Sequence, residues 1–218
     1  MVDADITMII ARMARDAIVP VVVIDDAGNA APLAAALAAG GCGLIEVTLR
    51  TAAALPAITT IARNPAVAVG AGTVLNAAQV RTAHAAGARF IVSPGLDAAV
   101  VETARSLDLP VVPGISTASE LQAAWNLGLR LVKFFPANIA GGAPAIRALA
   151  SIFHDMRFMP TGGILDANLP DYLAIPAVIA CGGSWLAPAE LIAAGNFVEI
   201  TRRTAAALSI AQLARHKQ

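Results

Sequence analysis

The stretch Leu129-Arg130-Leu131-Val132-Lys133-Phe134-Phe135-Pro136 is a short, mostly apolar run that follows Gly128 and ends at a proline. A run of this length, bounded by Gly and Pro and rich in β-branched and aromatic residues, reads as a strand. Similar runs occupy 18–24, 44–49, 66–70, 89–93, 109–112, 156–160 and 177–180. Their spacing of about 20 to 26 residues is that of one strand, loop, helix and loop.

Between the runs lie Ala/Leu-rich amphipathic segments with clear start signals. Asn76 and Asp97 stand where helix N-caps belong, and Thr117-Ala118-Ser119-Glu120 has the form of a capping box. Gly40, Gly87 and Gly128 fall where those helices should stop. Strands alternating with helices imply a parallel sheet, and eight such units predict a (β/α)8 TIM barrel. Further helices are expected at 4–16, before the first strand, and at 196–214, after the last unit. No linker or shift of composition divides the 218 residues, so 1–218 reads as a single barrel domain. A doubly wound open sheet is the competing architecture.

Lys133 lies inside the apolar run and is one of only two lysines, the other being Lys217. An ammonium in hydrocarbon is costly, so the position implies a partner charge, access to water, or chemistry that uses a neutral amine. Such an amine is a nucleophile toward carbonyls, with which it forms Schiff bases. A lysine snorkelling to solvent from a strand end is the plainer reading.

In a barrel the chemistry collects at the carboxyl ends of the strands, and several polar residues fall there. Alternation along Glu46-Val47-Thr48-Leu49-Arg50 puts Glu46, Thr48 and Arg50 on one face. A guanidinium fits a carboxylate bidentately, so Arg50 could hold an acid group while Glu46 moves protons. A structural ion pair filling the barrel is the alternative. Strand three ends in Gly70-Ala71-Gly72-Thr73, strand four in Ser93-Pro94-Gly95, strand seven in Thr161-Gly162-Gly163 and strand eight in Gly182-Gly183-Ser184. Paired glycines on the last two strands, each followed by a short helix, predict a phosphate site of backbone N–H groups and a helix N-terminus.

Composition narrows the function classes. Hydrophobic residues make up 57% and aromatics 4%, and 15 basic residues balance 15 acidic ones. The charges are dispersed, which argues against a nucleic-acid or membrane surface. The uncharged stretches 27–45 and 172–189 are broken by Gly, Pro, Asn or Ser and read as no membrane span. Cys42 and Cys181 have no CxxC spacing and read as core residues of a reducing compartment. His84, His154 and His216 have no metal-ligand spacing and read as surface or helix-end residues. The acidic start Met1-Val2-Asp3-Ala4-Asp5 is unlike a secretory signal, so a cytoplasmic protein is expected.

The motifs as a set resemble the bacterial 2-keto-3-deoxy-6-phosphogluconate aldolases, also called 4-hydroxy-2-oxoglutarate aldolases, the class I pyruvate aldolases of the Entner–Doudoroff pathway. The segments that carry the likeness are Glu46-Val-Thr-Leu-Arg50-Thr51, Gly70-Ala-Gly-Thr-Val-Leu-Asn76, Gly87-Ala-Arg-Phe-Ile-Val-Ser-Pro-Gly95, Lys133-Phe-Phe-Pro-Ala137 with Gly141-Gly142, Pro160-Thr-Gly-Gly-Ile164 and Gly182-Gly-Ser-Trp185. Asn138-Ile139-Ala140 is less typical than its flanks.

The resemblance implies a homotrimer without metal or other cofactor. It implies that Lys133 forms the Schiff base, that Glu46 transfers protons, and that Arg50 and Thr73 hold the pyruvate carboxylate. Phe135 would wall the Schiff-base pocket, and Gly162, Gly163, Gly183 and Ser184 would line the phosphate site. Pro94 and Thr161 complete the expected substrate contacts. Alternatives are a sister aldolase acting on 4-hydroxy-2-oxoglutarate or 6-phospho-2-keto-3-deoxygalactonate and, more remotely, a phosphosugar isomerase or epimerase barrel without covalent chemistry.

Overall fold

A computed structural model describes residues 2–215. Nine strands are formed among the described residues: β1 Ile18–Val22, β2 Leu44–Thr48, β3 Ala68–Gly72, β4 Ile91–Val92, β5 Val111–Val112, β6 Gly114–Ile115, β7 Leu131–Phe134, β8 Arg157–Pro160 and β9 Cys181–Gly183. The helices among them are α1 Val2–Asp16, α2 Ala30–Ala39, α3 Ala54–Ile61, α4 Ala77–Ala85, α5 Ala98–Ser106, α6 Ala118–Asn126, α7 Gly142–Ala150, α8 Leu169–Leu173, α9 Ala189–Ala193 and α10 Phe197–Arg215.

All pairings are parallel. One sheet has the order β5-β4-β3-β2-β1-β9, a half-barrel, and the other β6-β7-β8. The isolated parallel bridges Phe158–Val178 and Thr161–Gly182 link β8 to the β9 segment. At the other side β5 and β6 are consecutive, separated by Pro113 alone. Proline has no N–H to give a ladder, so the strand expected at 109–112 ends at Val112 and pairing resumes beyond Pro113 at Gly114–Ile115.

Two further boundaries differ from expectation. The third strand, expected at 66–70, pairs at Ala68–Gly72, in register Leu44–Ala68 through Thr48–Gly72. The last, expected at 177–180, has its ladder at Cys181–Gly183, pairing Ile18–Cys181 through Pro20–Gly183. In both, glycines that look like turns are strand residues, because close packing favours an absent side chain there more than propensity disfavours it.

The helix starts are as read. Asn76 and Asp97 accept from the amides of Gln79 and Val100, and Thr117 and Glu120 form the reciprocal capping box. Gly87 and Gly128, at φ +99° and +76°, follow the ends of α4 and α6 in the left-handed region that favours glycine. Gly40 is right-handed, and its role is room: a Cβ there would lie 2.6 Å from Thr204 Cβ of α10.

Strand alternation divides the core. Outward residues Ile45, Val47, Val69 and Ile91 pack on α2, α3 and α4, while Val132, Phe134 and Phe158 pack on α6 and α7. Inward residues of both sheets, Val19, Leu44, Ala68, Val92, Val112, Leu131 and Met159, share one cluster with Phe90 and Ala180. Ile9 and Met13 of α1 join it, so this helix stops the amino-terminal end of the inner face. No helix among the described residues is long and apolar enough to cross a membrane. Cys42 and Cys181 are buried free thiols, His84 and His154 are exposed, and His216 and Lys217 lie outside the described residues.

Candidate active site

Two residues beyond the apolar inner layer, the same strands present a different set of side chains. Registers Val21–Glu46 and Glu46–Gly70 place Glu46 between β1 and β3, and Gly114–Lys133 places Lys133 on β7. These face a cavity of about 330 Å³ whose walls include Glu46, Thr48, Arg50, Thr73, Lys133 and Phe135. Thus the alternation read from Glu46-Val47-Thr48-Leu49-Arg50 holds.

Lys133 Nζ lies 3.3 Å from Glu46 Oε1 and 5.2 Å from the centroid of the Phe135 ring. Lys133 is 5% exposed and Glu46 0% exposed. The amine is therefore held inside, and the snorkelling alternative does not describe it. Among the described residues, no group donates to Glu46 Oε2 or bonds Thr161 Oγ1, although both atoms are buried. An unpaired buried carboxylate oxygen is costly, and such groups concentrate where a reactant completes the bonding.

Arg50 stands exposed at the rim, and among the described residues no carboxylate lies within ion-pairing distance of it. Thr73 follows β3 with φ +57°, a left-handed conformation uncommon for a β-branched residue. Strain of this kind gathers at binding sites. Pro94 completes this side of the cavity.

On the opposite side stand Thr161, Gly162, Gly163 and Ser184. Gly182, rather than the expected Gly183, forms the wall beside them; a Cβ on Gly183 would instead lie 2.0 Å from the Trp185 ring. Face alternation separates the two glycines. The carbonyls of Gly162 and Gly163 accept from the Asn138 amide (3.1 Å) and from Asn168 Nδ2 (2.9 Å). The expected helix N-terminus does not abut these glycines. Asn168 also accepts from the Leu165 amide, so a turn fills 164–168 before α8, and both α8 and α9 are five residues long. Any anion grip here rests on the loops.

Val21 and Ile164 also line the cavity and were not expected as site residues, because each is an ordinary aliphatic residue without a chemical signal of its own. A larger cavity of about 650 Å³ lies between α8 and α10, where Asp171 is the sole titratable wall residue among the described residues. No amine, thiol or imidazole of a described residue lines it. Burial pushes the Cys42 thiol up to about 12 and raises Cys181 likewise, which keeps both protonated and unreactive. Neither lies on the Lys133 cavity.

With this geometry in place, comparison with known proteins is informative. Residues 9–209 match the family model described as KDPG and KHG aldolase. The Escherichia coli KHG/KDPG aldolase is 47% identical over 197 residues, covering 90% of this chain and 92% of that protein. The Dickeya dadantii 2-dehydro-3-deoxy-phosphogluconate aldolase is 48% identical over 185 residues, covering 84% and 87%. A similar solved structure is the Legionella pneumophila KDPG aldolase with pyruvate captured at low pH as a covalent carbinolamine intermediate. It has a TM-score of 0.87 at 40% identity and covers 90% of this chain and 96% of that one. By its own motifs, by the cavity they build and by these relatives, the chain belongs to the KDPG and KHG aldolase family.

Proposed function

We propose that this protein is a class I aldolase that cleaves 2-keto-3-deoxy-6-phosphogluconate to pyruvate and glyceraldehyde 3-phosphate, a step of the Entner–Doudoroff pathway. The observation that carries the reading is the Lys133 amine, buried at 5% exposure and 3.3 Å from a fully buried carboxylate in an open cavity. An isomerase or epimerase working through carboxylate bases gives that amine no task.

The Lys133 amine adds to the C2 ketone, and loss of water leaves a cationic imine. Glu46, directly or through water, takes the C4 hydroxyl proton as the C3–C4 bond breaks, and its electrons flow into the imine. Glyceraldehyde 3-phosphate departs. The enamine takes a proton at C3, and hydrolysis of the pyruvate imine regenerates the amine. Arg50 and Thr73 hold the carboxylate beside C2, and Phe135 covers the imine. Thr161, Gly162, Gly163 and Ser184 receive the distal phosphate end.

The same reading takes the strands as one closed (β/α)8 barrel domain, supported by the two bridges at β8 and the single residue between β5 and β6. It takes the assembly as a homotrimer, checked by light scattering on the eluting protein.

The deciding experiment is borohydride reduction with pyruvate, followed by peptide mass spectrometry. A pyruvyl adduct on Lys133, and none on Lys217, is expected. Full aldolase activity with Lys133 unmodified would sink the mechanism. Kinetics on 6-phospho-2-keto-3-deoxygalactonate and 4-hydroxy-2-oxoglutarate test the substrate, and a clear preference for either overturns the first choice.

A further inference from the structure

We propose that Gly72 is the positioning residue for the Glu46 carboxylate, and that it is glycine because the carboxylate occupies the space of its missing side chain. The inference rests on the aldolase reading and deepens it.

Gly72 ends β3, buried and in register with Thr48, and its carbonyl accepts from the Leu49 amide at 2.8 Å. It is not among the residues with positive φ, so backbone conformation does not demand glycine there. Space does. A Cβ on Gly72 would lie 2.2 Å from Glu46 Oε1, 2.6 Å from its Cγ and 2.7 Å from its Cδ, where real contacts stay beyond 3.0 Å. Three atoms of one side chain would have to move, and Oε1 alone falls short by about 0.8 Å (3.0 minus 2.2).

The displaced group is the oxygen that contacts Lys133 Nζ at 3.3 Å, in a side chain with no exposure. On its other flank stands Val21, so a push from position 72 drives the carboxylate toward an apolar wall. Gly72 thus fixes one carboxylate oxygen on the amine and leaves Oε2, unbonded among the described residues, directed to its own task. Misplacement of a reacting group by about 1 Å costs on the order of 100-fold in rate. Forming the imine needs the Lys133 amine; moving the C3 proton needs the carboxylate. A methyl at position 72 should separate the two.

The test uses Gly72→Ala with pyruvate alone. Borohydride trapping on Lys133 reads imine formation, and exchange of the pyruvate methyl protons in D2O, followed by NMR, reads proton transfer. Trapping within about threefold of the parent and exchange slowed by roughly 10- to 100-fold are expected. Absence of the adduct from the parent overturns the aldolase reading itself; a normal adduct with unchanged exchange in Gly72→Ala overturns only this inference.

Glu46→Ala separates position from mere structure, because it removes Oε1, Cγ and Cδ, the three atoms a methyl on Gly72 would meet. The exchange loss caused by Gly72→Ala should shrink to under about threefold in the Glu46→Ala background, where no carboxylate is left to displace. An equal loss in both backgrounds overturns the proposal. Where Gly72→Ala alone fails to fold, the double variant should fold; its failure also counts against the proposal.

Discussion

The inner face holds two neighbouring layers, built by the same strands two residues apart, that obey opposite rules. The lower layer, with Leu44, Phe90, Leu131 and Met159, is hydrocarbon filled to the walls and stopped by Ile9 and Met13. The upper layer trades bulk for glycine at 70, 114 and 182, and places a carboxylate and an amine in the room gained. Where the layers meet, Gly70 makes space for the Phe90 ring, which would lie 2.3 Å from a Cβ on it. Under the aldolase reading, stability resides in the lower layer and reactivity in the upper one, and each depends on the other at that contact.

The largest effect expected from breaking this division is in the lower layer. Phe90→Ala removes a ring with 0% exposure and should cost about 3 to 5 kcal/mol in denaturant unfolding. A loss below about 1 kcal/mol would mean that the lower layer is not the stabilising one.

The upper layer should respond in the opposite sense. Replacing both charges in Lys133→Met/Glu46→Leu is expected to abolish activity and raise stability by about 1 to 4 kcal/mol, since a buried ion pair often stabilises less than hydrocarbon of similar volume. Lys133→Met alone leaves the Glu46 carboxylate buried without its partner and should destabilise. A double variant less stable than the parent would end the view that reactivity is maintained against stability.

Within the upper layer, the division of labour can be sharpened by kinetics. Glu46→Gln is expected to lower kcat by on the order of 100-fold with little change in KM. Arg50→Ala is expected mainly to raise KM, by roughly 10- to 100-fold, through lost charge-assisted hydrogen bonds to the substrate acid. Similar profiles from both would merge the roles.

The smallest effect lies outside both layers, in the capping box of α6. Hydrogen bonding from the Ser116 amide, joined by Thr117, holds the Glu120 carboxyl below its ordinary 4.5. A depressed carboxylate contributes stability above its unfolded value and loses it as pH falls through the folded one. Thr117→Ala should cost about 1 kcal/mol at neutral pH, and Glu120→Gln less, with the Glu120→Gln deficit fading as pH falls below the ordinary 4.5 and through the lowered folded-state value. Thermal melts at neutral pH and in acid check both.

The sequence carried the lower layer more faintly than the upper one. Lys133, Glu46 and Arg50 were legible because a charge within an apolar, alternating run is costly unless a partner or a reaction uses it. The caps at Asn76, Asp97 and Thr117 were legible because their bonds close within three residues. Strand edges failed where glycine was involved: Gly72, Gly182 and Gly183 have turn propensity but pair in ladders. What places them there is a neighbour distant in the chain, Glu46 for Gly72 and Thr161 for Gly182, which no local window contains. The short helix after the first glycine pair was expected too close, because Asn168, bonded to Leu165 and Gly163, makes a local turn that occupies 164–168.

The plug formed by Ile9 and Met13 has a kinetic corollary under the aldolase reading. With the amino-terminal end stopped, the cavity drains through the rim marked by Arg50 and Ser184. The pyruvate half is bonded to Lys133 at the bottom, whereas the aldehyde half lies nearer the opening. Product departure is then compulsory in sequence, aldehyde first and pyruvate second, and in the synthetic direction pyruvate must load before the aldehyde.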